Sequence, residues 1–285
     1  METSRVARRL AARFVAGQTL DEALEIGRNL NAQGFRVTFD HLGESVASLA
    51  EAAAARDVYL SALAAIRSSG LHANLSLKLT QFGLDVSARE CRANLERLVR
   101  EAAAADSFVR VDMESSAYTG RTLDLVRDLH SRHRAVGVAI QACLRRSRRD
   151  IEELCGSGTR VRLCKGAYLE PATVAFPRKR DVDLNFSELM KLLLDKGDYP
   201  AIATHDEALI EEAKAYAASR KIPPEGFEFQ MLYGIRGGLQ RKLIRDGYRL
   251  RLYVPFGAAW YPYYMRRLGE RPANLLFLAR NLLRR

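Results

Sequence analysis

The chain has 285 residues, a length that suits one large domain or two domains of ordinary size. Hydrophobic residues make up 48% and charged residues 28%, close to the globular average, which excludes wholesale disorder, collagen-like repeats and a coiled coil. The formal net charge of +11 suggests a nucleic acid or an acidic lipid as partner without establishing either. No apolar run approaches the roughly 20 residues that a membrane-spanning helix needs, so we expect no integral membrane segment.

The cysteines and the N-terminus indicate the compartment. Cys91, Cys143, Cys155 and Cys164 form no CxxC pair and have no histidine at ligand spacing, which argues against a zinc site or a disulfide scaffold. We therefore expect a reduced, cytoplasmic protein. Residues 1–17 are basic and weakly amphipathic but lack the apolar core of a secretory signal, so we interpret them as a first helix, with membrane-surface attachment as the alternative.

Along the chain, a short β-branched run follows a charged, helical-looking stretch eight times. The predicted strands are residues 36–40, 74–78, 108–112, 137–141, 160–165, 201–204, 227–231 and 249–254. Apolar residues recur at helical spacing between them, and such alternation implies a parallel sheet. Eight units in about 250 residues predict an α/β fold of the (β/α)8 TIM-like barrel type. No linker divides the chain, so we predict N-terminal helices in residues 1–34 packed on a catalytic barrel of residues 35–285.

Polar residues stand at or beside the predicted strand ends. They are Asp40, His41, Lys78, Asp112, Gln141, Lys165, His205, Gln230 and Tyr253. Because barrel active sites are built from the carboxyl ends of the strands, we expect a polar ligand site there. With Arg162 added, the set holds more cations than acids, which favours an anionic ligand such as a phosphate.

Two further segments could bind anions. Lys165, Gly166 and Ala167 combine a cation with small residues that let a ligand approach the backbone, and residues 234–238 resemble a phosphate loop. There is no GxGxxG after the first strand and no GxxxxGK[ST], so Rossmann and Walker sites are not supported. The adjacent Arg266 and Arg267 are suited to grip a carboxylate, although a solvated basic helix face remains an alternative.

Several motifs together resemble one family. Residues 161–170 (VRLCKGAYLE) and 263–274 (YYMRRLGERPAN) are similar to proline dehydrogenases of the short bacterial, monofunctional type. The strings DHLGE, SLKL, VDME, QA, ATH, FQ and LYVP follow in the same order as in that family and extend the resemblance over nearly the whole chain.

The resemblance implies a flavoenzyme that binds FAD non-covalently, oxidises L-proline to Δ1-pyrroline-5-carboxylate and passes the electrons to a membrane quinone. It places Arg162 near the N5 edge of the flavin. The other residues that it assigns to the cofactor are Met113, Gln141, Lys165, Gly166, Ala167, Tyr168, Thr204, His205 and Gln230.

The same resemblance assigns the substrate side. Lys78, Arg266 and Arg267 would clamp the proline carboxylate, and Tyr263 would pack on the proline ring. Asp112 and Tyr253 would form a hydrogen-bonded pair against the substrate, with Asp112 too close to cations to act as a base. Glu44 would pair with the first arginine of the clamp and close the pocket as a gate.

Other functions remain open at this point. A barrel enzyme for a phosphorylated or carboxylated metabolite would use the cations without a flavin. A nucleic-acid-binding protein would explain the positive charge, but the basic residues are spread over all eight units, so we expect no nucleic acid as partner. Surplus charge could also draw the enzyme to anionic lipid as a peripheral contact on the inner face of the cytoplasmic membrane. We expect His72, His130 and His133 to lie at the surface.

Overall fold

A computed structural model describes residues 13–261 together with Tyr263 and Met265. Within this part a helix precedes the first strand, and helices then alternate with strands. The helices are α1 (Leu20–Ala32), α2 (Leu49–Ser69), α3 (Ala88–Ala104), α4 (Ser116–His133), α5 (Ser147–Gly156), α6 (Lys179–Lys196), α7 (Glu207–Ser219) and α8 (Gly237–Arg245), with a short 3₁₀ turn at Pro224–Gly226. The strands are β1 (Arg36–His41), β2 (Ala73–Leu77), β3 (Val109–Val111), β4 (Val136–Gln141), β5 (Val161–Cys164), β6 (Ala201–Ala203), β7 (Glu228–Leu232) and β8 (Leu250–Phe256).

The eight strands form a closed parallel barrel in chain order, and β1 pairs with β8 to close it. The predicted barrel is confirmed, and each predicted strand overlaps an observed one to within two residues at either end. Helix α1 packs against β1 and β8, outside the seam where the barrel closes. The division into residues 1–34 and 35–285 stays a prediction. Within the described residues, no helix is both long enough and apolar enough to cross a bilayer.

The strands alternate between two environments. Residues such as Val37, Phe39 and Leu75 are fully buried in the apolar layer shared with the surrounding helices. The residues between them, such as Thr38 and Asp40, point into the barrel, because side chains of successive strand residues lie on opposite faces. The outer face of the barrel wall is therefore apolar, whereas its interior is largely polar.

Small residues make room inside the barrel for one long side chain. Arg162 on β5 lies in register with Ala139 on β4 and Ala201 on β6. Because both neighbours carry only a methyl group, the guanidinium can extend across the interior toward the opposite strands. Arg162 is a buried residue as a result.

An ion pair fills the amino-terminal end of the interior. The Glu228 carboxylate accepts hydrogen bonds from Arg251 Nε at 2.7 Å, from Gln230 Nε2 at 2.6 Å and from the Tyr199 hydroxyl at 3.2 Å. Burial opposes ionisation of Glu228, but Arg251 and the hydrogen bonds outweigh it and lower its pKa to about 2.

One histidine expected at the surface is in the interior instead. His130 lies on the inner face of α4, and its Nδ1 is 3.1 Å from the Val136 carbonyl oxygen. The expectation was wrong because the histidine falls on the apolar stripe of the helix. His133, one turn later, is half-buried.

The contact between β4 and β5 yields a prediction about stability. A Cβ on Gly137 would lie 2.3 Å from the Arg160 carbonyl oxygen, whereas a Cβ on Gly120 in α4 would meet nothing. We expect Gly137→Ala to lower the free energy of unfolding by about 1–3 kcal/mol through overpacking. Gly120→Ala should raise it by about 0.5–1 kcal/mol because alanine favours the helix. Urea denaturation measures both, and equal stability of the two variants would contradict the close strand contact.

The lowered pKa of Glu228 predicts how stability depends on pH. A carboxyl whose folded pKa is depressed from 4.5 to about 2 stabilises the fold above pH 4.5, and this contribution is lost as pH falls toward 2. Glu228→Gln should therefore be less stable than the wild type by about 3 kcal/mol at pH 7. The difference should shrink between pH 5 and pH 3 in denaturant titrations. An exposed control, Glu25→Gln, should show little difference at either pH, and a gap for Glu228→Gln that is constant with pH would contradict the assignment.

Candidate active site

The carboxyl end of the barrel interior holds a connected polar cluster. Its members come from five strands and the positions directly after them: Ser76, Lys78, Asp112, Arg162, Gln230 and Tyr253. The structure thus brings together five of the residues predicted from strand ends and from the motifs. Strand alternation places them on the inner face of the wall.

Asp112 is the acceptor at the centre of this cluster. Its Oδ1 accepts a hydrogen bond from Ser76 Oγ at 2.6 Å and another from Arg162 Nη1, and its Oδ2 accepts one from the Tyr253 hydroxyl at 2.6 Å. Burial would raise its pKa, but the charges of Arg162 and Lys78 and these hydrogen bonds hold the pKa below its usual range. Asp112 is therefore ionised at neutral pH.

Arg162 is held on two of its three nitrogens. Nε donates to Gln230 Oε1 at 2.6 Å, and Nη1 donates to Ser76 Oγ at 3.1 Å as well as to Asp112. The guanidinium carbon also lies 5.3 Å from the centre of the Tyr253 ring. Nη2 is buried and has no hydrogen-bond partner among the described residues. A buried donor without a partner is costly, so this nitrogen is a candidate for binding a ligand.

Glu228, nearer the amino-terminal end of the barrel, fixes the orientation of the Gln230 amide. Its Nε2 donates to Glu228, so its Oε1 is the atom that faces Arg162. A line of hydrogen bonds therefore connects the ion pair at the amino-terminal end of the barrel with the guanidinium at the other end.

Lys78 and Asp40 form the second charged pair at the carboxyl end of the barrel interior, which we call the mouth. Lys78 Nζ lies 3.6 Å from Asp40 Oδ1, and Asp40 Oδ2 is buried without a partner among the described residues. Burial raises the pKa of Asp40. For Lys78, burial is opposed by the charges of Asp40, Asp112 and Glu44, which raise its pKa and keep it protonated.

In the described part of the chain, acids accompany the cations of the predicted site. Asp40 and Asp112 face Lys78 and Arg162 in the mouth. At the rim, Lys165 Nζ lies 2.5 Å from Asp183 Oδ1 and 2.9 Å from Asp206 Oδ2.

The loop after β5 supplies exposed backbone at the rim. Gly166 has φ +112°, and a Cβ there would lie 2.4 Å from Cys143 Sγ, so only glycine fits. Ala167 follows as an exposed residue, and Tyr168 is half-buried and close enough to affect the pKa of Lys78. Glu170 anchors this loop by accepting hydrogen bonds from the backbone and side chain of Ser116 at the start of α4.

Four other predicted cofactor residues surround the mouth. Met113 is buried directly after Asp112, and Gln141 Nε2 donates to the Glu114 carbonyl at 2.9 Å. Thr204 Oγ1 accepts from the Asp206 amide at 3.1 Å. His205 Nε2 accepts from the Leu232 amide at 2.9 Å, so that nitrogen is already occupied.

The remaining predicted residues belong to the C-terminal segment and the first loop. Tyr263 is buried and packs with Val15, Leu42 and Trp260. Arg266 and Arg267 lie outside the described residues. Glu44 is exposed in the loop after β1 and raises the pKa of Lys78.

Ser76 and Glu228 belong to this hydrogen-bonded network but were not among the predicted site residues. Both alternate along their strands with apolar residues, next to the predicted residues Lys78 and Gln230. The period of two was therefore a usable signal, since it places Ser76 and Lys78 on the same face. The partners of Lys165 could not be found this way, because Asp183 and Asp206 come from two separate helical segments.

Sequence comparisons match this chain to known proteins. The family model described as proline dehydrogenase matches residues 23–280. "Proline dehydrogenase 1" of Bacillus subtilis (strain 168) is 42% identical over 275 residues, which cover 96% of this chain and 91% of the relative. "Proline dehydrogenase" of Deinococcus radiodurans is 37% identical over 280 residues, which cover 96% of this chain and 90% of the relative.

Solved structures with this fold include two larger proteins. Proline utilization A (PutA) from Bdellovibrio bacteriovorus inactivated by N-propargylglycine matches 92% of this chain with 27% identity and a TM-score of 0.85. A Bradyrhizobium japonicum PutA mutant, D779W, matches 91% with 26% identity and a TM-score of 0.76. The matches cover only 32% and 30% of those chains, so this chain corresponds to about a third of their length. The family match over most of the sequence and the near full-length relatives show that this chain belongs to the proline dehydrogenase family.

Proposed function

We propose that this chain is an FAD-dependent proline dehydrogenase that oxidises L-proline to Δ1-pyrroline-5-carboxylate, the first step of proline degradation, and passes the electrons to a membrane quinone. The observation that carries the proposal is Arg162, a buried cation at the carboxyl end of the barrel with one nitrogen left without a partner among the described residues. Family membership supports the substrate.

The residues of the mouth fit a flavin. The unpartnered Nη2 of Arg162 suits the electron-rich edge of an isoalloxazine ring, and the exposed backbone at Gly166 suits close approach of a ligand. Burial raises the pKa of Cys143 to about 11 and that of Cys164 to about 12. Both neighbouring thiols are therefore protonated and poor nucleophiles, which supports non-covalent binding.

Bound FAD supplies the hydride acceptor, and the protein supplies position and electrostatics. The fixed charge of Arg162 would favour the accumulation of negative charge at the place where the hydride arrives. Because Asp112, Ser76 and Gln230 hold the guanidinium, this charge is oriented in advance.

The substrate side requires a cation for the proline carboxylate. Lys78 is protonated and lies in the mouth, and we propose that it shares the carboxylate with Arg266 and Arg267. Tyr253, held by Asp112, would border the substrate, and Tyr263 would pack on its ring. Asp112 stays ionised among cations and therefore orients its neighbours instead of taking the amine proton.

The acceptor and the location are also part of the proposal. A membrane quinone would require the cytoplasmic enzyme to approach the inner face of the membrane, and the net charge of +11 would favour contact with anionic lipid there. A barrel enzyme for a phosphorylated metabolite remains the second candidate, favoured by Lys78 and Arg162 in the mouth.

An absorption spectrum tests the function. We expect the purified protein to show a flavin absorption band at about 450 nm that bleaches when L-proline is added without oxygen, because reduced flavin loses this band. D-proline serves as the stereochemical control and should bleach it far more slowly. A yellow protein that L-proline does not bleach would show that the flavin is present but that L-proline is not the substrate. A colourless protein that takes up no FAD would favour the phosphorylated-metabolite enzyme.

The gate assigned to Glu44 gives a second test. Glu44→Ala should raise the KM for L-proline by about fivefold, since a partly exposed ion pair contributes about 1 kcal/mol, and should leave kcat within about twofold. Steady-state kinetics with a soluble quinone analogue measure both constants. Glu25→Ala, an exposed change on α1, is the control. An unchanged KM would show that Glu44 does not contribute to the binding of L-proline.

A further inference from the structure

A second polar cavity lies at the opposite, amino-terminal end of the barrel. It has a volume of about 480 Å³ and is lined by residues at or before the strand starts, among them Arg36 on β1, Asn74 on β2 and Arg160 before β5. None of the residues assigned above to flavin or proline lines it. Residues at this end of a barrel normally serve stability, whereas active sites lie at the carboxyl end.

Arg110 lines the cavity although it is only 3% exposed. Its Nη1 donates to the carbonyl oxygens of Val138 at 3.3 Å and Arg160 at 2.5 Å. Its Nε is buried and has no hydrogen-bond partner among the described residues, and no carboxylate oxygen of those residues lies within 4.0 Å of the guanidinium. Buried charges in proteins are normally paired at contact distance, and Arg110 has no such contact with an anion in the described part of the chain.

The acids of the cavity do not supply that anion. Glu228 is the buried one, and it is already shared among Arg251, Gln230 and Tyr199. Asp106 is exposed at the rim. Burial lowers the pKa of Arg110, and the charge of Arg162 lowers it further. Glu228 acts in the opposite direction without contacting the guanidinium, whereas Arg251 and Arg160 add to the lowering.

Other donors lie around the same space. Ser107 Oγ and His133 Nε2 are buried without a hydrogen-bond partner in the described part of the chain, although the histidine nitrogen is 3.7 Å from a Glu96 oxygen. Arg36, Arg134 and Arg160 add guanidinium groups to the lining. Arg160 pairs with Asp198 at 3.1 Å, and Arg36 donates to the Tyr199 hydroxyl. Within the described residues, Arg36, Arg110 and Arg134 are therefore the arginines of the lining that have no ion pair.

We propose that this cavity is a binding site for a phosphate group, either the free ion or a small phosphomonoester, with Arg110 as its central ligand. Guanidinium groups offer paired donors that match phosphate oxygens, and a dianion would balance Arg110 and Arg134 together. The Ser107 hydroxyl and the His133 ring lie beside them in the lining. The site is independent of the flavin and of proline.

A thermal-shift titration of the full-length protein with its cofactor bound tests the proposal. Inorganic phosphate and glycerol phosphate are added separately, with sodium chloride at matched ionic strength as the salt control. A ligand at tenfold its Kd should raise Tm by about 2–3 °C, and above Kd the rise should grow with the logarithm of the ligand concentration. A rise with phosphate that exceeds the chloride control identifies the free ion, whereas a rise with the ester alone identifies the phosphomonoester. A rise no larger than that with chloride, for both probes, overturns the proposal.

Variants separate this cavity from any other phosphate site. Arg110→Met keeps the bulk of the side chain and should abolish the shift, whereas Arg89→Met, on the exposed surface of α3, should keep it. A full shift in Arg110→Met overturns the assignment. Should that variant not fold, Arg134→Asn takes its place, because asparagine tolerates the φ of +57° at this position. It should weaken phosphate affinity by about tenfold, as loss of one charge-assisted contact implies. An unchanged affinity again contradicts the site.

Discussion

The buried guanidinium of Arg162 is the group on which the carboxyl end of the barrel depends. Placing a charge inside a protein costs several kcal/mol unless partners replace the lost water. Asp112 supplies the opposite charge, and Ser76 and Gln230 supply the remaining hydrogen bonds on two nitrogens. The alanines beside Arg162 on β4 and β6 make this arrangement possible, because larger neighbours would fill the space that it crosses.

This arrangement extends along the whole axis of the barrel. Arg251 holds Glu228, Glu228 fixes the amide of Gln230, and Gln230 fixes Arg162. In this chain, each hydrogen bond from the amino-terminal side fixes which atom of the next group faces the carboxyl end of the barrel. The hydrogen bonds of the interior therefore hold the charged groups of the mouth in a fixed orientation. Catalysis that relies on charges oriented in advance requires such support.

The sequence was sufficient to predict the barrel and the inward-facing polar residues, because both follow from local periodicity. Lys78 and Asp112 were found at strand ends for this reason. Local patterns do not report partners that are distant in the chain, so the acids beside Lys165 and the isolation of Arg110 could not be predicted. His130 was misplaced because a polar residue type was given more weight than its position on the apolar face of α4.

The two carboxyls of the mouth differ in how firmly they hold a negative charge. Asp40 is buried and Asp112 is mostly buried, yet the pKa of Asp40 is raised and that of Asp112 is lowered. The difference comes from their partners. Asp112 accepts three hydrogen bonds, one of them from Arg162, whereas Asp40 has a longer contact with Lys78 and a weak one with Tyr59. Negative charge is therefore held most firmly on Asp112, next to Arg162. Lys78 has Asp40, Asp112 and Glu44 as counter-charges, and under the proposed function it is the cation that faces the substrate carboxylate.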